Sequence, residues 1–436
     1  MSDLKVLYIG GAPIGARTAT GQVLAAMYGG LRPEQVFQLC VIASAPSPSP
    51  SGASATAAPP RVFSTRGAVL SAAGWLRAHG VPGLARVHHG FNASTGRAAR
   101  DPRARLQAHL LAAADMVPPR IPRRALDALR AWRPDVIHTP LGGARTIRLA
   151  LHASRLLDAP VVPHMLDDWP PVIYSGGELL GLARAVTLRS FARLLADCPV
   201  LLCAGRAMAA EHRERYGKEC VVVGTCVDPA DYALPHRPVG PRDGPHELVY
   251  VGGLHLGRAD VLRDVARALD GMTEPWRLVV HAPARDVPML GRDLPSCLTV
   301  GRELEVDEVP ARLCAASALL FVESLRPEVA AFTRLSVSTK VPQYLAARRP
   351  IVAVGPAGQA SVGEIADGAA AALVVHGTGD AERRAVAEFL RNLGVSGPLR
   401  ENALPEVFEA APVQRRFVEA LRAGAARSRE RHQPSS

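Results

Sequence analysis

The chain has 436 residues, more than one hydrophobic core usually supports, so its length predicts two domains. Hydrophobic residues make up 48% and aromatic residues only 5%, so the apolar content is mostly Ala, Val and Leu, which suits buried parallel sheets covered by helices. The seven cysteines form no Cys-x-x-Cys pair, which argues against a disulfide framework or a zinc site. No apolar run reaches the roughly 18 to 20 residues of a membrane span.

The net charge is +11, and arginine supplies almost all of the positive charge. Such a charge either attracts anions, such as sugar nucleotides or a membrane face, or simply reflects a GC-rich coding sequence. No basic cluster alternates with aromatic residues, so no nucleic-acid partner is expected. Residues 1–5 lead directly into a predicted strand and leave no room for a signal peptide, which predicts a cytoplasmic protein.

Short apolar runs alternate with longer helical segments along the first half of the chain. The predicted strands are Val6–Ile9, Phe37–Ala43, Val136–His138, Val161–His164, Val200–Cys203 and Val221–Val223. Helical patterns between them include Arg123–Trp132, Thr146–Leu157 and Leu179–Ala196. We expect an N-terminal domain over 1–228, in which residues 43–60, almost wholly Ala, Ser, Pro and Gly, form a mobile loop.

The same alternation restarts after a proline-rich linker, predicted at 229–245. A C-terminal domain is expected over 246–410, and a C-terminal helix and tail over 411–436. Its predicted strands are Leu248–Val251, Leu278–Val280, Leu298–Val300, Ala318–Val322, Ile351–Ala353 and Leu373–Val375. Strand–helix alternation at this spacing predicts an α/β fold of two Rossmann-like, doubly wound parallel-sheet domains facing a central cleft.

A glycine-rich loop, Gly10–Gly21, follows the first strand. Glycines there would let backbone N–H groups approach a phosphate at the start of the next helix. The loop is not a Walker A motif, because Ala16 and Arg17 stand where a lysine is needed, and Ala12 breaks the G-x-G-x-x-G pattern. A plain tight turn and a ligand contact both remain open.

An acidic turn follows the predicted strand that ends at His164. In parallel sheets ligands bind beyond the carboxyl ends of strands, where Asp167 and Asp168 fall. Carboxylates there are costly unless they are solvated, paired or functional, so the turn is either a site or a capped strand end. His138 ends the preceding strand and is interpreted as structural or as lining the cleft.

A second glycine turn, Gly252-Gly253, opens the second half and leads to Arg258. Its position predicts that Arg258 lies near the crevice between the domains, where a guanidinium would hold a diphosphate well. A solvated surface arginine is the alternative.

The most informative stretch is Ser336–Ala346. Pro342 has no amide proton and must fall in the first turn of a helix, which places the helix start near Ser338 or Thr339. The free amides and hydroxyls of those residues would then face an anion, with Lys340 beside them. The chain has only three lysines, so a lysine at this point is informative.

These residues resemble the retaining GT-B glycosyltransferases of the bacterial family-four (group 1) type. The similarity is strongest over 338–353, which resembles that family's Ser-Pro-x-Lys-x-x-Glu-Tyr-Leu-Ala run, and over the Tyr250–Leu254 strand and turn. The resemblance implies a metal-independent hexosyltransferase without a cofactor, using a GDP- or UDP-sugar as donor substrate. It also implies front-face transfer with retention of configuration.

The resemblance also assigns roles to individual residues. The implied catalytic residues are His164, Asp167, Arg258 and Lys340. The implied donor-binding residues are Gly252, Gly253, Arg258, Ser338, Thr339, Lys340 and Gln343. The implied acceptor-binding residues are Gly11, Gly15, Thr20, Gly21, His138 and Asp168. The sequence departs from the family at Gln343, where a glutamate is usual, at Leu335, where the first glutamate of the family's pair would fall, and at Gly253, where a diphosphate-binding arginine would fall.

The implied reaction is transfer to a small-molecule acceptor, as in antibiotic or other specialised-metabolite biosynthesis. We favour this over a lipid-linked or polysaccharide acceptor because no strongly hydrophobic surface helix is evident in the N-terminal half, so membrane association is not favoured. A GT-B sugar-nucleotide epimerase and a non-catalytic sugar-nucleotide-binding partner of another transferase are the alternatives. A nicotinamide oxidoreductase is disfavoured because neither glycine loop fits the dinucleotide pattern.

Overall fold

The computed structural model describes residues 3–11, 13–16, 18–41, 61–64, 102–117, 120–234, 245–270, 272, 276–393 and 403–432. The loop predicted at 43–60 and most of the linker predicted at 229–245 lie outside these residues. The described chain forms two compact units, one of residues 1–224 with 413–436 and one of residues 225–412.

Seven described strands of the first unit form one parallel sheet. They are β1 (Val6–Gly10), β2 (Val36–Cys40), β3 (Arg61–Ser64), β4 (Val136–Leu141), β5 (Val161–Met165), β6 (Leu201–Cys203) and β7 (Cys220–Val222). The spatial order is β3-β2-β1-β4-β5-β6-β7, so the chain starts at the centre, winds to one edge and returns to build the other. The two directions of winding meet between β1 and β4, which is the topological switch point of this sheet.

Helices cover this sheet where apolar residues recur at helical spacing. They are α1 (Ala19–Tyr28), α2 (Pro102–Met116), α3 (Arg123–Trp132), α4 (Ala144–Leu157), α5 (Leu182–Asp197) and α6 (Arg206–Tyr216). In α4, for example, Ile147, Ala150 and Ala153 are fully buried, a spacing of three that keeps one face of the helix on the core.

The second unit repeats this plan with a six-stranded parallel sheet. Its strands are β8 (His246–Val251), β9 (Trp276–His281), β10 (Leu298–Gly301), β11 (Ala318–Val322), β12 (Ile351–Val354) and β13 (Ala372–Val375). Its helices are α7 (Arg258–Asp270), α8 (Val309–Ala315), α9 (Pro327–Thr333), α10 (Lys340–Ala346), α11 (Ala360–Gly368) and α12 (Asp380–Asn392). The order β10-β9-β8-β11-β12-β13 places the switch point between β8 and β11.

The final helix, α13 (Ala410–His432), belongs mostly to the first unit, since residues 413–436 group there. Phe417 of α13 is fully buried and packs edge-on against Tyr28, with ring centroids 5.0 Å apart. Gln414 donates a hydrogen bond from Nε2 to the carbonyl of Ala26 at 2.8 Å. The segment predicted as a separate helix and tail therefore helps to complete the core of the first unit.

The predicted α/β fold with two doubly wound parallel sheets is confirmed. Strand β3 and helix α2 were not among the elements named from the sequence. None of the helices in the described residues is both long and apolar enough to cross a bilayer. All seven cysteines are free thiols, and only Cys297 is more than slightly exposed.

Candidate functional site

A cluster of charged side chains lies at the switch point of the second sheet. Arg258 begins α7, which follows β8, and Glu323 directly follows β11. The Nη2 atom of Arg258 donates to Oε2 of Glu323 at 3.0 Å, and both side chains are buried. Because β8 and β11 are the two strands that flank the switch point, this ion pair marks the place where ligands bind in open parallel sheets.

Lys340, the first residue of α10, joins this cluster across the backbone of Gly252. Gly252 has φ +142°, a conformation that favours glycine, and a Cβ there would overlap Cε of Lys340 and lie 3.0 Å from its Nζ. The lysine ammonium lies 5.3 Å from the centre of the Tyr250 ring, at cation–π distance. A glycine is therefore required at 252 both for the turn and for the passage of the lysine side chain.

The lysine of this cluster has a strongly shifted pKa. Burial, and to a smaller extent the nearby Arg258, lowers the pKa of Lys340 to about 7, while Glu323 acts in the opposite direction. Within the described chain, Nζ of Lys340 has no hydrogen-bond acceptor. Lys340 therefore lies buried beside the Arg258 guanidinium without an acceptor of its own, so the site is suited to an anionic ligand that would restore the full charge of Lys340.

Tyr344 fixes α10 to the two strands at the switch point. Its hydroxyl accepts a hydrogen bond from the Val251 amide of β8 at 3.2 Å and donates to the Leu320 carbonyl of β11 at 3.3 Å. These bonds hold the helix that begins with Lys340 in place over the carboxyl ends of both strands. Sequence reasoning assigned no role to Tyr344 or to Glu323, because neither contact follows from local spacing.

The start of α10 differs in detail from the prediction. The helix begins at Lys340, and Thr339 precedes it without a side-chain cap. The Ser338 amide donates to Oγ of Ser361 at 3.0 Å, and that hydroxyl donates in turn to the Ser336 carbonyl at 3.0 Å. The Ser338 amide is therefore not free for an anion as predicted. Gln343 lies half-buried on α10, and its donor-binding role stays a prediction.

The neighbouring Gly253 lies against Asp286 and His255. A Cβ at Gly253 would lie 3.2 Å from Oδ2 of Asp286 and closer still to the His255 ring. Asp286 is buried and accepts a hydrogen bond from the Leu254 amide at 3.1 Å. The glycine turn thus has no room for the side chain of the diphosphate-binding arginine that the family resemblance would place here.

In the first unit, the two predicted site histidines belong to a buried hydrogen-bond chain. Nε2 of His164 lies 2.8 Å from the Val223 carbonyl, which can only accept, so this nitrogen carries the proton and Nδ1 is an acceptor. Nε2 of His138 lies 3.2 Å from that Nδ1 and must donate to it, which leaves Nδ1 of His138 to accept from the Tyr28 hydroxyl at 2.8 Å. One arrangement of protons satisfies all four groups.

This hydrogen-bond chain gives both histidines internal partners. Both rings are fully buried, and every ring nitrogen has an internal partner. Burial lowers the pKa of His164 to about 4 and holds the pKa of His138 well below its usual value, so both rings are neutral. The two side chains therefore stabilise the interior of the first unit, and the catalytic role of His164 and the acceptor-binding role of His138 stay predictions.

Asp168 is likewise a structural residue in this fold. Arg215 holds its carboxylate at both oxygens, at 2.8 and 3.2 Å, and Nε2 of His212 lies 3.3 Å from Oδ1. Burial alone would raise the pKa of Asp168, but the hydrogen bonds and charges of these partners hold it below its usual value. The carboxylate of Asp168 is thus held in a part-buried ion pair, and its contact with the acceptor stays a prediction. Asp167 beside it is half-buried, and its catalytic role stays a prediction.

The glycine-rich loop after β1 forms a tight turn into α1. Thr18 caps the helix by accepting from the Gly21 amide at 3.1 Å, and a Cβ at Gly21 would overlap a backbone carbonyl of the same loop. Gly15 has φ +80°, which explains its glycine without a ligand. Gly11 is half-buried and Thr20 is exposed. Their predicted contacts with the acceptor stay predictions.

Comparisons with known proteins find a family match and solved structures of similar architecture. Residues 116–231, about a quarter of the chain, match the family described as Glycosyltransferase Family 4. An α,α-trehalose-phosphate synthase (UDP-forming) from Burkholderia vietnamiensis is 12% identical with a TM-score of 0.60, over 98% of this chain and 100% of that one. HepE from Anabaena, in complex with UDP and glucose, is 11% identical with a TM-score of 0.53, over 96% of this chain and 99% of that one. No curated protein matches the chain.

Two doubly wound sheets with this strand order and these structural neighbours define the GT-B fold. More particularly, the match over residues 116–231 confirms the resemblance to the family-four, group 1 enzymes. The described residues contain no group of three or more His, Cys, Asp or Glu side chains placed to hold a metal ion. Independence from metal stays a prediction.

Proposed function

We propose that this chain transfers a sugar from a nucleoside-diphosphate sugar to a small-molecule acceptor, with retention of configuration and without a bound metal or cofactor. The observation that carries the proposal is that two buried basic side chains, Arg258 and Lys340, lie together with Glu323 at the switch point of the second sheet. We place the reaction in the cytoplasm, in specialised metabolism such as antibiotic biosynthesis.

The donor is proposed to be a UDP-sugar, with a GDP-sugar as the alternative. HepE from Anabaena has been solved with UDP and with UDP-glucose, which supports this choice of nucleotide. The diphosphate would contact Arg258 and Lys340, and Gln343 would accept a single hydrogen bond from the ribose. A neutral amide in that position makes a weaker contact than the carboxylate that is usual in the family.

In the proposed mechanism the cations act on the departing diphosphate. Negative charge grows on the bridging oxygen as the bond to the sugar breaks, and fixed positive groups stabilise that charge more in the transition state than in the ground state. Glu323 holds the Arg258 guanidinium in place before the ligand arrives. The acceptor hydroxyl would attack on the same face from which the diphosphate leaves, which preserves the configuration of the sugar.

The Lys340→Ala variant tests this assignment, and Lys218→Ala is its matched control. Lys218 is partly exposed and belongs to the first unit, where its Nζ donates to the Ala196 carbonyl at 3.2 Å. In a thermal-shift screen of UDP, GDP, ADP and dTDP, one nucleotide should raise the melting temperature of wild type and of Lys218→Ala. Lys340→Ala should lose that shift and lower the rate of transfer by about tenfold or more. Equal shifts in all three proteins would refute the proposal.

The other candidate activities give different results in the same preparation. An epimerase would convert a sugar nucleotide into an isomer without an acceptor and without releasing free nucleotide. A non-catalytic partner protein would bind the nucleotide, yet Lys340→Ala would leave the output of its pathway intact. The release of UDP that depends on both an acceptor and Lys340 supports the transferase.

A lipid-linked acceptor is a second candidate, because the first unit exposes several leucines. Leu106 and Leu110 are one turn apart on α2, and Leu180 and Leu182 lie at the start of α5, all more than half exposed. An exposed apolar group of this kind is typical of contact with a membrane or another protein. Sedimentation with anionic vesicles distinguishes the two, and tight binding that Leu106→Ser weakens would favour the lipid-linked acceptor.

A further inference from the structure

The switch point of the first sheet holds a second site, at the start of α4. Strand β4 is one of the two strands that flank this switch point. The chain leaves β4, passes through Gly142-Gly143 and enters α4. In the second unit, the corresponding position holds the proposed donor site. The carboxyl end of β4 is therefore a place where a parallel sheet of this order presents a ligand to the helix that follows.

The amides at the start of α4 lack partners. Gly143 precedes the helix in an extended conformation and supplies no side-chain cap. Within the described part of the chain, the N–H groups of Ala144, Arg145 and Thr146 have no recorded acceptor, although all three residues are buried. Helix α4 has fourteen residues, and its start is buried and has no side-chain cap. Several amide donors are therefore left unsatisfied, which is unfavourable unless a ligand accepts from them.

Arg145 adds a buried cation to the same place. Its residue is only 6% exposed, and its Nε has no hydrogen-bond partner among the residues that the structure describes. Arg145 is the second residue of α4, and helical side chains lean toward the N-terminus, which directs its guanidinium toward the end of the helix that carries the unsatisfied amides. A buried cation at the positive end of a helix dipole is doubly unfavourable without an anion.

The nearest acidic groups do not supply that anion. Asp115, at the end of α2, attracts Arg145 electrostatically, but the two form no ion pair within 4.0 Å. The Oδ2 atom of Asp115 instead accepts a hydrogen bond from the Tyr174 hydroxyl at 2.6 Å. Glu178 interacts electrostatically with Tyr174 and forms no ion pair with Arg145. The guanidinium and the helix amides thus remain available to one acceptor-only group.

We propose that Arg145 and the first-turn amides of α4 bind an anionic group, a carboxylate or a phosphate, carried by the sugar acceptor. Its role in acceptor selection rests on the proposed function, whereas anion binding at this position does not. The site would replace His138 and Asp168, which have internal partners, as the acceptor contact of the first unit. An anion there would satisfy the buried cation and the free amides together.

Anion binding is tested by soaking crystals of the full chain with sodium selenate, whose selenium gives an anomalous signal. A peak should contact Arg145 and the amides of residues 144–146, both without UDP and with UDP present. Arg145→Gln should abolish this peak, whereas Arg155→Gln, an exposed arginine on the same helix, should keep it. Selenate peaks elsewhere but none at Arg145 would overturn the proposal, whatever the outcome for the donor.

Acceptor selection is tested by measuring UDP release with a hexose 6-phosphate, a hexuronate and the matching neutral hexose. One of the two anionic acceptors should give at least about tenfold higher kcat/KM than the neutral hexose. Which of the two it is identifies the bound group as a phosphate or a carboxylate. Arg145→Gln should remove that preference mainly through KM and leave the affinity for UDP unchanged, while Arg145→Lys should retain part of it. Equal losses for anionic and neutral acceptors would show a merely structural role and overturn the assignment. Failure of the proposed function itself would appear separately, as absent UDP binding in wild type.

Discussion

Replacing Glu323 by glutamine should lower stability and raise nucleotide affinity at once. In the folded chain, Oε2 of Glu323 lies 3.0 Å from Nη2 of Arg258, with the side chains 4% and 10% exposed. At that separation and an effective dielectric constant of about 20, the attraction is roughly 5 kcal/mol. Removing one partner of a buried pair costs about 3–5 kcal/mol, and because glutamine keeps one hydrogen-bond acceptor we expect the lower value.

For a unit of this size, a loss of roughly 3 kcal/mol corresponds to a fall of about 6–12 °C in melting temperature. The variant also removes the carboxylate that competes with a diphosphate for Arg258, so UDP should bind roughly tenfold more tightly, about 1.4 kcal/mol. Differential scanning calorimetry and titration calorimetry measure the two effects. Glu328→Gln, an exposed glutamate on α9, should change neither. An unchanged melting temperature, or weaker UDP binding in Glu323→Gln, would refute this account of the cluster.

Further predictions concern the donor site and the buried histidines. UDP affinity should fall by up to about tenfold per pH unit above pH 7, because Lys340, with a pKa of about 7, must then take up a proton on binding. Titration calorimetry on Lys340→Met should show no such dependence of UDP affinity on pH. Gly252→Ala should weaken UDP binding by at least about tenfold by displacing that lysine, whereas Gly358→Ala, equally strained at φ +78° but with no atom within 4 Å, should not. Tyr28→Phe should cost about 1–3 kcal/mol in urea unfolding, since it leaves a buried imidazole nitrogen without its donor. The pKa of His164 is depressed to about 4, so the neutral imidazole contributes its full stabilisation above about pH 6.5. The free energy of unfolding of the first unit should therefore fall by roughly 3 kcal/mol as the pH falls toward 4. A free energy of unfolding that does not change over this pH range would contradict this.

The sequence by itself determined the fold class and singled out the lysine at the centre of the proposed donor site. Apolar strand runs of four to six residues alternate with helical segments, and this pattern is local, so it can be read without the tertiary structure. Pro342 likewise fixed the start of α10 to within two residues, because a proline is tolerated only in the first turn. Lys340 and Gly252 then fell at the ends of predicted elements, where ligands bind.

Only the tertiary structure decided which polar residues are available to a ligand. His138, His164 and Asp168 have the same strand-end positions as functional residues, but their partners lie 26 to 110 residues away for the histidines and 44 to 47 residues away for Asp168. Glu323 pairs with Arg258 across 65 residues, and no local pattern predicts such a contact. Burial and pairing depend on what the chain brings together from a distance, so the sequence could name candidate residues, whereas the fold showed which of them have internal partners.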